Sequence, residues 1–590
     1  MRLEHHLASP RSIVPTLCVS IALAAVAPAQ QMLHWVYGPS ANARLGKSAI
    51  LIPDQNADGY ADVLAGAPGF NQERGAIYCI SGAYLALGTG VQTIWSCVPT
   101  ANAGDLFGYA LADLGDMTGD GAHEYLVGEP GYDLPGQNDV GAVRIVNGTS
   151  HQVTSLCTGW ETGCSFGFAL AKCGASVVIG SPGPNCNSSR VSFVRISQLT
   201  NTHTIGSISQ GSFGGSGADE YGSSIAGGFD INGDGQEDWA CGAAGTGSIG
   251  IGTLSPTGSQ NILGSYHTFA GERLGASVDS GFDYDGDGIL DVVAGAPNSL
   301  DAAGGESGRV VVLSGAHLIS NTTPHEIHTF THPNAGYGED LHFGAAVRAC
   351  ADLNADGVGD ILVGAPELVT YSGTVGQLKG NLSIYSGASG ARWLGINGAW
   401  GDHFGDAITG SVGDLDGDGF PEFVVSGSQA NITLGPASVG VIKSFRLFPL
   451  APATYCTAKV NSLGCTPAIS FSGTAKANPT APFNVTASNF INQKTGLLFY
   501  SHTPASTAFQ GGFKCAGDPV RRSGALNSGG STSGSSCTGT YSLDFNARIA
   551  SGIDPSLVAG AEIYAQYWSR DPLSASHTSL SNALRFLIQP

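Results

Sequence analysis

The chain has 590 residues, with 46 acidic against 25 basic side chains, a formal charge of −21, 87 glycines and an apolar share of 42%. Such an acidic excess excludes a nucleic-acid binder that works by phosphate neutralisation, and the apolar share excludes a disordered chain. Glycine at roughly twice its ordinary frequency, few charged residues and no long amphipathic helical pattern point to an all-β protein with many tight turns.

Residues 1–29 read as a secretory signal peptide. Arg2 and Arg11 give a basic start, 13–26 is apolar, and Ala27-Pro28-Ala29 is a small-residue cleavage site. The apolar run is too short to cross a bilayer. The mature chain is therefore expected near Gln30, secreted or at the cell surface, with no membrane insertion once the signal is removed. Loss of Cys18 leaves an even number of cysteines, which suits disulfides in an oxidising compartment. Several lie close in sequence: Cys79 and Cys97, Cys157 and Cys164, Cys173 and Cys186, Cys456 and Cys465, Cys515 and Cys537. Connectivity stays open, and Cys241 and Cys350 also read as buried thiols.

From residue 30 to 450 one unit recurs seven times. It opens at Leu45-Gly46, Phe107-Gly108, Phe166-Gly167, Tyr221-Gly222, Leu274-Gly275, Phe343-Gly344 and Phe404-Gly405, with successive glycines 53 to 69 residues apart. A short strand follows. In six units an acidic loop comes next, then an apolar strand ending in Gly66-Ala67-Pro68, Gly128-Glu129-Pro130, Gly242-Ala243-Ala244, Gly295-Ala296-Pro297, Gly364-Ala365-Pro366 or a degenerate Ser426-Gly427-Ser428. The third unit lacks the loop but keeps Gly180-Ser181-Pro182. Units of this length suit four-stranded blades. Residues 32–38 form a strand with no partner in their own unit, and are expected to pair with 439–447 and close a ring.

The six loops share one spacing of oxygen donors. Position one is Asp54, Asp116, Asp230, Asp283, Asp352 or Asp414. Position three is Asn56, Thr118, Asn232, Asp285, Asn354 or Asp416. Position five is Asp58, Asp120, Asp234, Asp287, Asp356 or Asp418. Position seven offers the carbonyl of Tyr60, Ala122, Gln236, Ile289, Val358 or Phe420. Position nine is Asp62, Glu124, Asp238, Asp291, Asp360 or Glu422. A hard cation such as Ca²⁺ takes six to eight oxygens, and glycine at position six permits the sharp turn. An EF-hand is excluded, because position twelve is Ala65, Val127, Cys241, Ala294, Val363 or Val425 and the flanks are strands. About six Ca²⁺ ions are expected, mainly structural; they would offset more than half of the formal charge of −21.

The coincident Phe-Gly, Asp-rich loop and Gly-Ala-Pro elements resemble the FG-GAP repeats of integrin α-subunit propellers and their bacterial relatives. The resemblance implies a seven-bladed β-propeller over 30–450, with Ca-binding hairpin loops at one end and a partner-binding face at the other. Residues 131–140, 298–308 and the segments with Trp160, Trp393 and Trp400 are candidate contacts on that face. The pattern stops at Ala451. Residues 451–590 read as a small β-sandwich module, with strands at 561–570 and 583–590 and a flexible Gly/Ser-rich loop at 527–536, tethered by Cys515 and Cys537. This module resembles C-terminal modules of planctomycete exported proteins.

No catalytic residue is assigned. Gly163-Cys164-Ser165-Phe166-Gly167 fits a nucleophile elbow but overlaps the third repeat, and the glycines of 245–250 lack a βαβ context. His325, His328 and His332 read as a solvated loop in the longest interval. The sequence is thus read as a monomeric, calcium-loaded binding or adhesion module for an extracellular glycan, matrix or protein partner. The alternatives are a polysaccharide lyase or hydrolase on a propeller scaffold, which needs paired carboxylates or a His/Tyr/Arg cluster at the channel, and a structural surface component.

Overall fold

The computed structural model describes residues 30–588, apart from 89, 100, 188, 200–202, 205–210, 215, 255–259, 324, 335–339, 354–356, 373–374, 400, 409–421, 431–437, 448–451, 478, 480 and 559–560. Residues 1–29, read from sequence as a signal peptide, and Trp400 lie outside these residues.

Between Gln30 and Leu447 the described residues form seven sheets, six of four strands and one of five, plus a separate hairpin, Val369–Ser372 with Val375–Leu378. Within each sheet from the second to the sixth, and in the first, the strands run in chain order from inside to outside. The second strand of each sheet is buried along its whole length, as in Asp62–Gly66, Asp291–Ala296 and Asp360–Ala365. Burial on both faces explains why these segments are continuous apolar runs rather than alternating ones. The cores they fill lie between sheets. Leu64, Ile77 and Trp95 of the first sheet pack with Phe107, Tyr125 and Val127 of the second. Val293, Val310 and Phe330 of the fifth pack with Phe343, Ile361 and Tyr385 of the sixth. The first strands line a central cavity of about 540 Å³. This is a β-propeller.

The ring closes as the lone N-terminal strand predicts. Gln30–Tyr37 pairs antiparallel with Val441–Leu447, Tyr37 opposite Val441 and Gln30 opposite Leu447. Leu45 also forms a parallel bridge with Gly440, the same contact that joins Phe107 to Gly75 and Phe166 to Gly141 in consecutive sheets. Val424 and Ile442 of the last sheet share a core with Leu45, Val63 and Ile80 of the first.

Neighbouring sheets touch backbone to backbone. A Cβ on Gly364 would lie 1.9 Å from the carbonyl oxygen of Gly405 in the next sheet, and one on Gly66, Gly128, Gly242 or Gly295 would meet the corresponding carbonyl at 1.8–2.0 Å. The amide of Gly405 donates to the carbonyl of Ser426, just as Gly46 donates to Gly66, so Ser426 holds the position that glycine holds elsewhere. Its hydroxyl donates to Gly46 O. Ser48, Ser224 and Ser277 hydroxyls cap the corresponding carbonyls of Gly108, Gly275 and Gly344. The degenerate seventh element is therefore a serine that moves the same cap to another strand.

The third sheet turns from Leu170–Cys173 to Ser176–Ser181 through Gly174 and Ala175, the loop deletion expected from its sequence. His325, His328 and His332 depart from expectation. The strand Glu326–Thr331 occupies the segment between His325 and His332. His325 packs on Tyr266, His328 Nε2 lies 3.1 Å from Gly387 O, and His332 is buried against Phe343. Burial lowers the His332 pKa to about 4. Only His328 lies within the strand; His325 and His332 flank it, and the three rings meet different neighbours.

Residues 453–587 carry two further sheets. Ala453–Tyr455, Thr578–Leu587, Glu562–Arg570, Thr495–Ser501 and Arg521–Arg522 form one; Ala468–Ser472, Asn484–Phe490 and Gly539–Asp544 form the other. Their facing sides enclose one core that includes Phe483, Phe490, Tyr500, Tyr541, Tyr567 and Phe586. This is a β-sandwich. Its disulfides join Cys456 to Cys515 and Cys465 to Cys537, and a third joins Cys164 to Cys186 in the propeller. The Cys515–Cys537 tether is thus overturned: the two cysteines pair with partners 59 and 72 residues away. Cys79, Cys97, Cys157, Cys173, Cys241 and Cys350 are buried thiols, and burial pushes those of Cys157, Cys173 and Cys241 up to about 12. The Gly/Ser loop is also less free than its composition suggests. The buried Asn492 side chain donates to Ser531 O and Gly534 O and accepts from Ser536 N.

Replacing Gly364 by Ala should destabilise the protein by about 2–3 kcal/mol, because the new methyl meets backbone that cannot give way. Gly524→Ala, where nothing lies within 4 Å of the added Cβ, should change stability by less than about 0.5 kcal/mol. Denaturant titration of both variants checks this, and equal effects would refute the close-contact account.

Candidate metal centres

Each acidic loop joins the first strand of a sheet to its second, so the loops stand at one end of the propeller. The Phe-Gly and Gly-Ala-Pro elements stand at the other end, because each strand reverses direction. In the loop between Ser277–Phe282 and Asp291–Ala296, oxygens of Asp283, Asp285 and Asp287 all lie within 4.8 Å of one another. The backbone folds around the first of them. Asp283 Oδ1 accepts from Gly286 N (2.7 Å) and Asp287 N (3.2 Å), and Oδ2 accepts from Gly288 N (2.8 Å). Asp285 accepts from Asp287 N and Asp287 from Ile289 N.

The same pattern builds the other described loops. Asp54 accepts from Asn56, Asp58 and Gly59 amides, Asn56 from Asp58 N, and Asp58 from Tyr60 N. Asp116 accepts from Gly119, Asp120 and Gly121, and Asp120 from Ala122 N. Asp230 accepts from Asp234 and Gly235, Asn232 from Asp234 N, and Asp234 from Gln236 N. In the fifth loop Asp352 accepts from Gly357 N. Asn354 and Asp356 of that loop, and Asp414, Asp416, Asp418 and Phe420 of the sixth, lie outside the described residues.

Position nine differs in kind. Asp62, Asp238, Asp291 and Asp360 are fully buried, and Glu124 and Glu422 nearly so. Asp291 Oδ2 accepts from Tyr284 N and its Oδ1 from Gly315 N; Asp62 Oδ2 accepts from Gln55 N and its Oδ1 from Gly82 N. Glu124 accepts from Met117 N and from the Asn147 side chain. Burial raises the Asp62 pKa to about 6 and that of Asp291 to about 7, against the backbone donors that favour the charged form. Asp291 stands outside the converging group of Asp283, Asp285 and Asp287. In the first, second and fifth sheets the ninth-position carboxylate thus ties the loop to the turn after the third strand.

Those tie points were not singled out from sequence. Gly82 and Gly315 begin short helices, Gly82–Leu87 and Gly315–Ser320, capped by Ser81 and Ser314. Ser81 Oγ approaches Asp58 Oδ2 at 3.4 Å, and Thr149 Oγ1 donates to Asp120 Oδ2 at 2.8 Å. The legible signal is a second repeat, Ser81-Gly82-Ala83, Asn147-Gly148-Thr149, Ser314-Gly315-Ala316 and Ser386-Gly387-Ala388. The other sequence candidates are not assembled into this end. Trp160 packs edge-on against Phe166, and Trp393 is half-buried beside the core of the sixth and seventh sheets. Ser165 of the elbow-like motif follows Cys164, which is disulfide-bonded.

Three acidic side chains converging on one exposed point, with hard oxygen donors only, fit a divalent cation. Asp283, Asp285 and Asp287 would hold it, with the equivalent residues in the other loops; bound metal would neutralise like charges and clamp the hairpin.

The FG-GAP repeat family profile matches residues 274–313, which hold this loop and the strands on either side. The chain is 30% identical to integrin alpha-2 of Mus musculus over 210 residues, 34% of this chain and 17% of that protein. It is 34% identical to integrin alpha-5 of Xenopus laevis over 190 residues, 29% of this chain and 17% of that one. With integrin alpha-6 of Gallus gallus the identity is 35% over 161 residues, 26% of this chain and 13% of the relative. The chain thus spans less than a fifth of the length of these relatives. It is an FG-GAP, integrin-α-like protein. No described helix is long and apolar enough to cross a membrane.

Asp285→Asn should leave stability in chelator unchanged or raise it by up to about 1 kcal/mol, by removing like-charge repulsion. In excess Ca²⁺ the same variant should lose part of the metal-dependent gain in melting temperature and bind about one ion fewer. Paired melts with elemental analysis check this; an unchanged metal response would remove Asp285 from the ligand set.

Proposed function

We propose that the propeller is a secreted or cell-surface binding module for an extracellular glycan, matrix or protein partner, and that its hairpin loops carry about six structural Ca²⁺ ions. The observation that carries this reading is the convergence of Asp283, Asp285 and Asp287 at one end of an integrin-α-like propeller. Rigid loops at that end leave the opposite end, where the Phe-Gly elements lie, for a partner. The residue before each of these elements, from Arg44 and Leu106 to His342 and His403, adopts a left-handed backbone. Three disulfides suit an oxidising exterior.

A binding role is favoured over catalysis by how the charges around the channel are engaged. Arg273 Nη2 lies 2.7 Å from Glu220, Arg348 lies 3.6 Å from Asp279, and Lys47 stands over the Tyr109 ring. Each is held by a neighbour within the fold, an arrangement suited to fixing sheets rather than to moving protons.

Thermal unfolding in excess Ca²⁺ and then in chelator tests the metal reading. The expected result is a large upward shift with calcium and about six bound ions; at a thousand times the dissociation constant one site adds about 4 kcal/mol. No shift and no bound metal would reduce the loops to turns. A glycan and matrix-protein array probed with the calcium-loaded protein should show calcium-dependent retention, and hydrolysis or cleavage of an arrayed polysaccharide would replace the binding reading with the enzymatic one.

A further inference from the structure

A second cavity, of about 420 Å³, lies in the C-terminal sandwich, well away from the loops described above. Its floor is the outer face of the larger sheet. Leu497 and Phe499 on Thr495–Ser501 and Trp568 on Glu562–Arg570 point to that face, because their strand neighbours Leu498, Tyr500 and Tyr567 fill the core on the other side. Its wall is the hairpin of Pro504–Phe509 and Gly512–Ala516, which contributes Phe509 and is fastened to the start of the module by Cys456–Cys515. The site is held open by hydrogen bonds rather than collapsed. The Trp568 indole N–H donates to Gln510 Oε1 at 2.9 Å, which fixes the ring, and Lys459 Nζ donates to Gln510 O at 2.8 Å, which fixes the hairpin tip.

Four polar side chains sit on the rim. Lys514 Nζ lies 2.6 Å from Asp518 Oδ2, so this pair presents donors and an acceptor with no net charge. Arg522 is exposed and its guanidinium forms no ion pair among the described residues, whereas the neighbouring Arg521 is engaged by Asp554. An acidic protein therefore places one uncommitted cation beside a ring-sized aromatic floor. A ligand that fits needs a flat apolar face to lie on Trp568 and Phe509, several hydroxyls for Gln510, Lys514 and Asp518, and one anionic group for the Arg522 fork.

We propose that this pocket binds a carboxylated pyranose, a uronate residue of an acidic polysaccharide. The C–H face of the sugar stacks on Trp568, the ring hydroxyls reach Gln510 and the Lys514–Asp518 pair, and the carboxylate meets Arg522. This site is independent of the propeller and of its metal, and stands whether or not that reading holds.

Isothermal titration of the full-length protein with trigalacturonate, maltotriose and 2-naphthoate tests it. The expected result is binding of trigalacturonate at least tenfold tighter than of maltotriose, with Arg522→Gln lowering trigalacturonate affinity to the neutral level, as loss of a charge-assisted contact predicts. Trp568→Phe, which keeps the apolar floor, should abolish the tryptophan fluorescence change on binding while preserving the fold. Failure to bind trigalacturonate at millimolar concentration, or an affinity unmoved by Arg522→Gln, overturns the proposal. Binding of 2-naphthoate without trigalacturonate overturns it in favour of an apolar acid.

Discussion

Neighbouring sheets meet backbone to backbone. One sheet presents a glycine Cα, the next presents a glycine carbonyl, and there is no room for a side chain between them. Gly364 against Gly405 is one instance, Gly295 against Gly344 another. Main-chain atoms set the gap at six junctions, from Gly66 to Gly364, and at the seventh Ser426 stands in the glycine's place. A ring needs that regularity, since an error at one junction would accumulate around the circle. The apolar cores between sheets are built on this spacing. The serine hydroxyls that cap the carbonyls satisfy acceptors that the tight approach removes from water.

The acidic loops divide their carboxylates between two tasks. In the fifth sheet Asp283, Asp285 and Asp287, at positions one, three and five, stay at the surface and converge, shaped by backbone amides that point at them. The one at position nine is buried, and Asp62 and Asp291 are bonded to backbone amides at both oxygens, as Asp62 is to Gln55 and Gly82. The first group is arranged for a cation that is free to enter from solvent. The second is a structural latch between the loop and the turn that follows the third strand. A single short motif thus sets local shape, a cluster of carboxylates that could hold a cation, and the hairpin's attachment to its sheet.

Much of this was legible in the sequence because the repeat multiplies weak signals. The unit lengths, the deleted third loop and the lone strand at 32–38 each follow from spacing, and the strand's partner follows from the need to close a ring. What could not be read is whatever depends on meeting in space. Cys456 and Cys515 are 59 residues apart, and nothing local marks them as partners. His328 and His332 look like a loop because the interval is long and polar, yet His328 lies in a strand and His332 is buried just beyond its end. The position-nine latch was hidden for a different reason. Its acceptor is a carboxylate, which suggests a ligand, and its donors are backbone amides, which leave no trace in sequence except the recurring Ser-Gly-Ala that positions them.

The strand at Gln30–Tyr37 has a temporal consequence. It emerges from synthesis before the rest of the propeller, yet its partner is Val441–Leu447, so the His34 amide bonds a hydroxyl 410 residues further on. Sheets one to six can assemble in order from local hairpins, each on the edge of the one before. The last sheet cannot be completed until the two ends of the ring find one another across a loop of several hundred residues, the slowest kind of contact a chain makes. Until then the opening segment is an exposed, unpaired β-strand with Met32, Trp35 and Tyr37 on its surface, and the nascent protein is an open arc with two adhesive edges. The fold is a clasp whose tongue is made first and whose buckle is made last.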